Sequence, residues 1–521
     1  MQALYQLSYS PECWSAGVSP AAAPPAYTGC TAFCQIGFLT AAARGPGGRS
    51  GRRPAGTVGP VSTLLQTAER TRSQALRAHL LRRPVTLAAA LCMVSFAAFW
   101  AAQRTADVSM IDLMVYRAEG WAVRDGRDLY AMRATAAELP TTYPPFAALL
   151  FLPLTLLDVP GMRALATFGN LGLLLAVIHL TLRLLGRPLR APRAAATLLI
   201  ASVAVWCEPV WTTLRYGQIN LLLAVLVLWD LTRRSGHRWA GVGIGVAAGI
   251  KLTPALFAVF LALCGLVHGC RLLRRTGRAA ALWNPWLRQA AVAAAAFTAT
   301  VALSALVLPH DSRRFWGEAV FQSGRVGRTE ITDNQSLSGA VARLLHTGDP
   351  GWVWAAVALA AAVLGLGAAV AAALAGERRL PHAPAWGAVA CAVTALMISP
   401  ISWSHHWVWC VPLLLLLGAD AQRHGCRRRL GAAAVGGVVF FSYALWWVPR
   451  DADAPRAPEL DQSAPQMLLS AAYPLAGTAF LVLTAVVALR ALRRRHTSPE
   501  TETTPAAATA AAPEAQAVAK E

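Results

Sequence analysis

The sequence predicts an all-α polytopic membrane protein, and three observations carry that prediction. Of 521 residues, 56% are hydrophobic and 14% are charged, where an average soluble chain carries roughly a quarter charged residues. Mean hydropathy is +0.45, and several apolar runs approach the ~20 residues that cross a bilayer. Arginines collect in the short connectors between these runs, as the positive-inside rule expects of cytoplasmic loops. The net charge of +21 therefore reads as orientation charge and not as a surface for nucleic acid.

Along the chain, residues 1–80 stand apart. GPGGRSGRRPAG, Gly45 to Gly56, has no hydrophobic periodicity, and such a composition predicts disorder. No apolar stretch followed by a small-residue cleavage site marks a signal peptide. Cys30 and Cys34 lack histidine or cysteine companions at zinc spacing, so no metal site is read there. Residues 81–495 form the membrane domain, and Thr497 to Glu521, rich in Ala, Pro, Thr and Glu, predicts a second disordered tail over 496–521.

Within the membrane domain the apolar runs fall at about 85–102, 143–158, 162–185, 192–210, 218–231, 239–250, 252–270, 289–308, 351–376, 383–401, 407–419, 430–448 and 466–489. Arginine-rich connectors at 183–193, 232–238, 271–288, 377–379, 423–429 and 490–495, with the arm ending at Arg83, define the cytoplasmic side. The two larger loops are charge-balanced and fall outside: five arginines against six acids in 103–142, and five of each sign in 309–350. Thirteen runs cannot join two cytoplasmic ends. Either 143–158 is re-entrant or the 183–193 loop breaks the rule, and about 12 crossings are expected.

With this orientation the unusual polar residues share the outer face. Asp112 lies in SMIDLMVYRAEG, Tyr143 in TTYPPFAALLF, and Arg215, Gln218 and Asn220 in RYGQINLLL. Lys251 lies in GIKLTPALF, Asn334 and Gln335 in DNQSLSGAVARL, and Trp403, His405 and His406 in SPISWSHHWVW. Each also has a plain explanation. Asp112 suits a solvated loop, and prolines suit a helix's first turn. Gln218 and Asn220 suit interhelical hydrogen bonds, and Lys251 suits snorkelling. Asn334 and Gln335 suit caps or turns, and the histidines suit an interfacial belt. A water-facing cavity near the outer surface accounts for all of them together.

In their order along the chain, D-L-x-V-Y, GRDLY (Gly126 to Tyr130), YPP, GQIN, GIKLTP, NQSLSG and SPISWSHH resemble one family over about residues 107–420. It is that of the polyprenol-phosphate-mannose-dependent α-(1→2)-mannosyltransferases of actinobacteria, glycosyltransferase family 87, with the GT-C membrane fold. The resemblance implies that Asp112, in the first outer loop, is the catalytic base. It implies that His405 and His406 lie by the donor phosphate, without saying which makes the contact. Lys251, and less directly Arg215, would add positive charge there. Tyr116, Tyr143, Gln218, Asn220, Asn334, Gln335 and Trp403, carried in the same motifs, become substrate-pocket candidates. The implied partners are a polyprenyl-phosphate-mannose donor and a phosphatidylinositol mannoside or other glycan acceptor, at an outward-facing site in the plasma membrane.

The chemistry agrees with the residue types. Attack by a sugar hydroxyl on an anomeric carbon needs a proton acceptor and charge stabilisation of the leaving phosphate. A carboxylate with imidazole or ammonium groups provides both. No DxD-type metal motif is recognised, so no metal and no cofactor are expected. An arabinofuranosyl-type or other polyprenol-phosphate-sugar transferase is the nearest alternative. A lipid or glycan transporter or flippase would also place charges in membrane cavities, but no second copy of GQIN or KLTP signals its repeats.

Overall fold

The computed structural model describes residues 60–186, 192–234, 236–451 and 454–493. The segments read as disordered at 1–59 and 496–521, with Cys30 and Cys34, lie outside the described residues. The first helix among the described residues, α1 (Pro60–Thr105), starts with proline in its first turn and carries its membrane-length apolar part over Arg83–Thr105. The last twenty or so residues of the 1–80 extension are thus helical backbone, consistent with their Leu, Ala, Arg and Gln content.

The chain then runs through α2 (Ile111–Arg124), a two-residue antiparallel ladder of β1 (Arg133–Ala134) and β2 (Leu139–Pro140), and α3 (Pro145–Phe151), extended by a 3₁₀ turn to Leu156. Next come α4 (Val159–Leu184), α5 (Arg193–Ala204), α6 (Glu208–Tyr216), α7 (Asn220–Leu231), α8 (Val242–Ile250), α9 (Ala255–Thr276), α10 (Pro285–Val307) and α11 (Pro309–Gly317). The rest comprises α12 (Leu337–Leu344), α13 (Gly351–Ala375), α14 (Ala383–Ile398), a 3₁₀ segment at Ser404–Trp409, α15 (Cys410–His424), α16 (Arg427–Phe441), α17 (Ala464–Ser470) and α18 (Ala472–Arg493).

Among the described residues, six helices are long and apolar enough to cross a membrane alone: the Arg83–Thr105 part of α1, α4, α9, α10, α13 and α18. The α5–α6 pair, bent by 79°, would make a seventh. Length and composition therefore stop short of the 12 crossings expected from hydropathy, because several apolar runs are broken. The run at 143–158 is a short helix closed by a 3₁₀ turn, so its length suits the re-entrant alternative. The breaks coincide with the polar motifs: Gly217 to Ile219 before α7, Lys251 to Pro254 between α8 and α9, and Ser399 to Trp403 after α14.

Small residues set the closest helix packing. Gly241, Gly245 and Gly249 recur every fourth residue, facing α10. A Cβ at these positions would strike the backbone of Gln289 and of Ala293 and the side chain of Thr300 respectively, so α8 and the glycine before it lie tight against α10, the small-xxx-small packing of membrane helices. The alanine-rich α14 is buried almost along its full length against α13 and α18. Its Trp386 stacks on Phe480 at 5.6 Å. Leu87, Leu91, Leu306, Leu359 and Val363 are exposed on α1, α10 and α13, as lipid-facing positions are.

Candidate active site

Three of the breaks and both large loops meet around one cavity of about 420 Å³. Asp112, Tyr116 and Glu119 line it from α2; Tyr143 and Gln218 enter from the segments before α3 and α7; Lys251 comes from the α8–α9 break; and Trp403 and His406 from the turn after α14.

Asp112 is held by the start of α2. The N-cap Met110 takes a left-handed conformation (φ 53°, ψ 57°), and Gly217 lets this turn in, since a Cβ there would lie 2.7 Å from that of Leu113. Gly217 itself has φ 67° and closes α6, so the glycine of GQIN serves a turn and a close approach at once. Asp112 lies in the first helical turn, where peptide dipoles favour a carboxylate. Burial nevertheless pushes its carboxyl up to about 6, against the Gln218 side chain and the Lys251 charge, which draw it down.

Behind Asp112, Tyr116 and Tyr143 share Gln218. The Tyr116 hydroxyl donates to Gln218 Oε1 at 2.7 Å, and that of Tyr143 does so at 3.2 Å. Tyr116 also stacks on Phe151 at 4.4 Å. The Lys251 ammonium lies 5.2 Å from the Tyr143 ring centroid, 2.9 Å from His406 Nε2 and 3.4 Å from Asn220 Oδ1. Lys251 can only donate, so His406 Nε2 accepts and its Nδ1 keeps the proton.

The two histidines are not equivalent. His406 lines the cavity, whereas the His405 ring is set edge-on against Tyr216 at 5.3 Å. The part of His405 that works locally is its carbonyl, which accepts from Thr213 Oγ1 at 2.7 Å and Asn220 Nδ2 at 3.0 Å. Asn220 thus ties Lys251 to the histidine turn.

Asn334 and Gln335 do not reach the cavity, which corrects their reading as pocket residues. An amide has two donor hydrogens and an acceptor oxygen, and backbone groups take both ends here. Asn334 Nδ2 donates to Thr329 O and Pro400 O, and its Oδ1 accepts from Ser402 N. Gln335 Nε2 donates to Thr332 O and Ser470 O, and its Oε1 accepts from Tyr473 N. With the Asn334–Trp403 bridge, Asn334 fastens the second large loop to the SPISWS turn, and Gln335 fastens it to the junction of α17 and α18. Arg215, in the last turn of α6, is likewise not among the residues that line the cavity.

Two acids escaped sequence reasoning. Glu208 is fully buried at the α5–α6 bend. Its carboxylate accepts from Thr212 at 2.8 Å, Ser404 at 2.9 Å, Trp446 at 3.1 Å and Tyr473 at 2.6 Å. It anchors the first residue of the histidine-bearing 3₁₀ segment. An acid inside an apolar run, as in VAVWCEPVW, was the available signal. The other is Glu119, seven residues beyond Asp112.

Among the described residues, Asp128, His310 and Asp311 alone bring ligand atoms together, within 4.8 Å of one another. These acids are already engaged: Arg314 pairs with Asp128, and the backbone N–H groups of Leu129 and Tyr130 bond to Asp311 and Asp128. The group fastens two loops and does not line the cavity.

Comparison with known proteins places this geometry. Residues 142–400 match glycosyltransferase family 87. A polyprenol-phosphate-mannose-dependent alpha-(1-2)-phosphatidylinositol mannoside mannosyltransferase of Mycobacterium tuberculosis is 32% identical over 361 residues, covering 66% of this chain and 76% of its own length. This chain belongs to glycosyltransferase family 87. A protein of the same description from Mycolicibacterium smegmatis is 33% identical over 331 residues, 60% of this chain and 70% of its own. A phosphatidylinositol pentamannoside mannosyltransferase of M. tuberculosis is 34% identical over 305 residues, 57% of this chain and 63% of its own. No solved structure matches. The family 87 match encloses Tyr143, Gln218, Asn220 and Lys251, while Asp112 and the Trp403–His406 turn flank it. This family 87 chain is a multi-pass membrane glycosyltransferase.

Proposed function

We propose that the protein moves mannose from polyprenyl-phosphate-mannose to a hydroxyl of a phosphatidylinositol mannoside or related glycan, forming an α-(1→2) linkage. The observation that carries this reading is the shared cavity, which sets the Asp112 carboxylate near the paired Lys251 and His406. The family relatives are named for this donor and for phosphatidylinositol mannoside acceptors.

In the proposed reaction the Asp112 carboxylate takes the proton of the acceptor hydroxyl. The hydroxyl oxygen bonds to the anomeric carbon as the bond from that carbon to the phosphate oxygen breaks. Lys251 and His406 Nδ1–H stabilise the charge that grows on the departing phosphate. Direct displacement inverts the anomeric centre, so a β-linked donor gives an α-linked product. Tyr116, Tyr143 and Gln218 hold the wall beside the carboxylate. The positive-inside pattern supports an outward-facing site in the plasma membrane, with the polyprenyl tail remaining in lipid.

The test is transfer of labelled mannose by the purified full chain from polyprenyl-phosphate-mannose to a panel of phosphatidylinositol mannosides. Transfer to none of them, with an active preparation of a relative run alongside, would remove the proposal.

A further inference from the structure

Asp112 and Glu119 stand seven residues apart on α2, so they share one helix face and lie about 10 Å apart along its axis. Both line the same cavity. The Lys251 charge acts on the Asp112 carboxyl, which puts the proposed donor phosphate at the Asp112 end. The cavity then continues along α2 toward Glu119, away from that phosphate, over more length than one sugar ring fills.

Glu119 is 1% exposed, yet its Oε2 has no hydrogen-bond partner. Thr141, also 1% exposed and not itself a lining residue, offers its hydroxyl to the Glu119 carboxyl and draws it down, but makes no bond of full geometry to it. Arg325 lines the same end, donating from Nη2 to Tyr130 O at 2.8 Å while its Nε is unpartnered. Buried polar atoms in folded proteins are overwhelmingly paired. Glu208, which is not a lining residue of the cavity, carries four donors on its two oxygens. Glu119, on the cavity wall, keeps one oxygen without a donor. Burial pushes its carboxyl up to about 8, so at neutral pH it can donate as well as accept, as the adjacent hydroxyls of a sugar require.

We infer that Glu119, positioned by Thr141, and Arg325 form a second acceptor subsite that binds the hydroxyls of the sugar residue preceding the one attacked. The inference rests on the glycosyl-transfer reading above. It makes Glu119 a determinant of acceptor length and leaves the chemical step to Asp112.

The test uses the purified full chain, polyprenyl-phosphate-mannose as donor, and two acceptors, methyl α-mannoside and methyl α-mannobioside. Glu119→Ala is expected to raise the KM for the mannobioside by roughly tenfold or more, as when a polar site can no longer hydrogen-bond a substrate hydroxyl. The KM for the monomannoside and for the donor should stay unchanged. Glu119→Gln, which still donates and accepts, should keep most of the preference, and Thr141→Val should lose part of it. An unchanged mannobioside KM in Glu119→Ala, or equal losses on both acceptors, would overturn the subsite while leaving the transferase reading intact. If Glu119→Ala does not fold, Thr141→Val decides, and an unaltered acceptor preference in that variant overturns the subsite. Failure of the wild type to transfer mannose to any acceptor would take down both readings.

Discussion

The raised pKa of Asp112 makes the proposed base titrate within reach of ordinary assays. Its carboxyl is pushed up to about 6, and only the ionised form accepts a proton. Transfer should therefore fall about tenfold per unit below about pH 6. Asp112→Asn keeps the shape without the acceptor, and turnover should drop by roughly 10²–10⁴-fold while donor binding survives. Near-normal transfer by this variant would refute the assignment. Lys251 and His406 should behave differently. Lys251→Met and His406→Ala are expected to weaken donor binding as well as turnover, with Lys251→Arg retaining part of both. His405→Ala should disturb donor affinity less than His406→Ala, since only the His406 ring lines the cavity. Donor titration of the four proteins, side by side, checks that order.

The elements explain how much of this was legible beforehand. Lys251 and the histidine pair stood out because ionisable residues interrupt apolar runs, and those interruptions proved to be helix breaks that frame the cavity, whereas Asp112, in the first large loop, stood out through the D-L-x-V-Y motif. The division of labour between neighbours was not legible. His405 and His406 differ by which way a 3₁₀ turn directs their rings, and spacing carries no mark of that. Asn334 and Gln335 look like pocket amides until their partners are seen to be backbone groups brought in from residues 329, 332, 400, 402, 470 and 473. Lys251 is aimed by the helix before it, so its position depends on α8 remaining against α10. Gly245→Val should wedge these helices apart at a cost of roughly 1–3 kcal/mol. Activity should fall further than stability, because the ammonium shifts from His406. Thermal melts and turnover on one preparation would separate the two effects, and unchanged values of both would show the close approach to be dispensable.

At the scale of the molecule, both large loops and the histidine turn border one cavity, so they belong to one side of the membrane; arginine asymmetry predicts that it is the outer one. Ser109 and Gln322 are exposed in the two loops, while the native Cys270 and Cys426 are exposed beside arginine-rich connectors. In intact cells, Ser109→Cys and Gln322→Cys should react with an impermeant thiol reagent. Cys270 and Cys426 should react only after the membrane is opened. Reversal of this pattern would put the cavity inside. Hydropathy foresaw the membrane, but not which apolar runs are broken, because a broken run and a continuous one have the same composition.

The burial of α14 has a further consequence. The turn bearing Trp403 and His406 follows a helix that is almost wholly enclosed by protein, while α1, α10 and α13 present leucine and valine outward. A thicker or thinner bilayer must be met by tilting or stretching at such a rim, at fractions of a kcal/mol per Å of mismatch. That strain reaches the histidine turn only through intervening helices. The site is in this sense suspended from the protein's interior and not moored in the lipid from which its proposed donor would arrive.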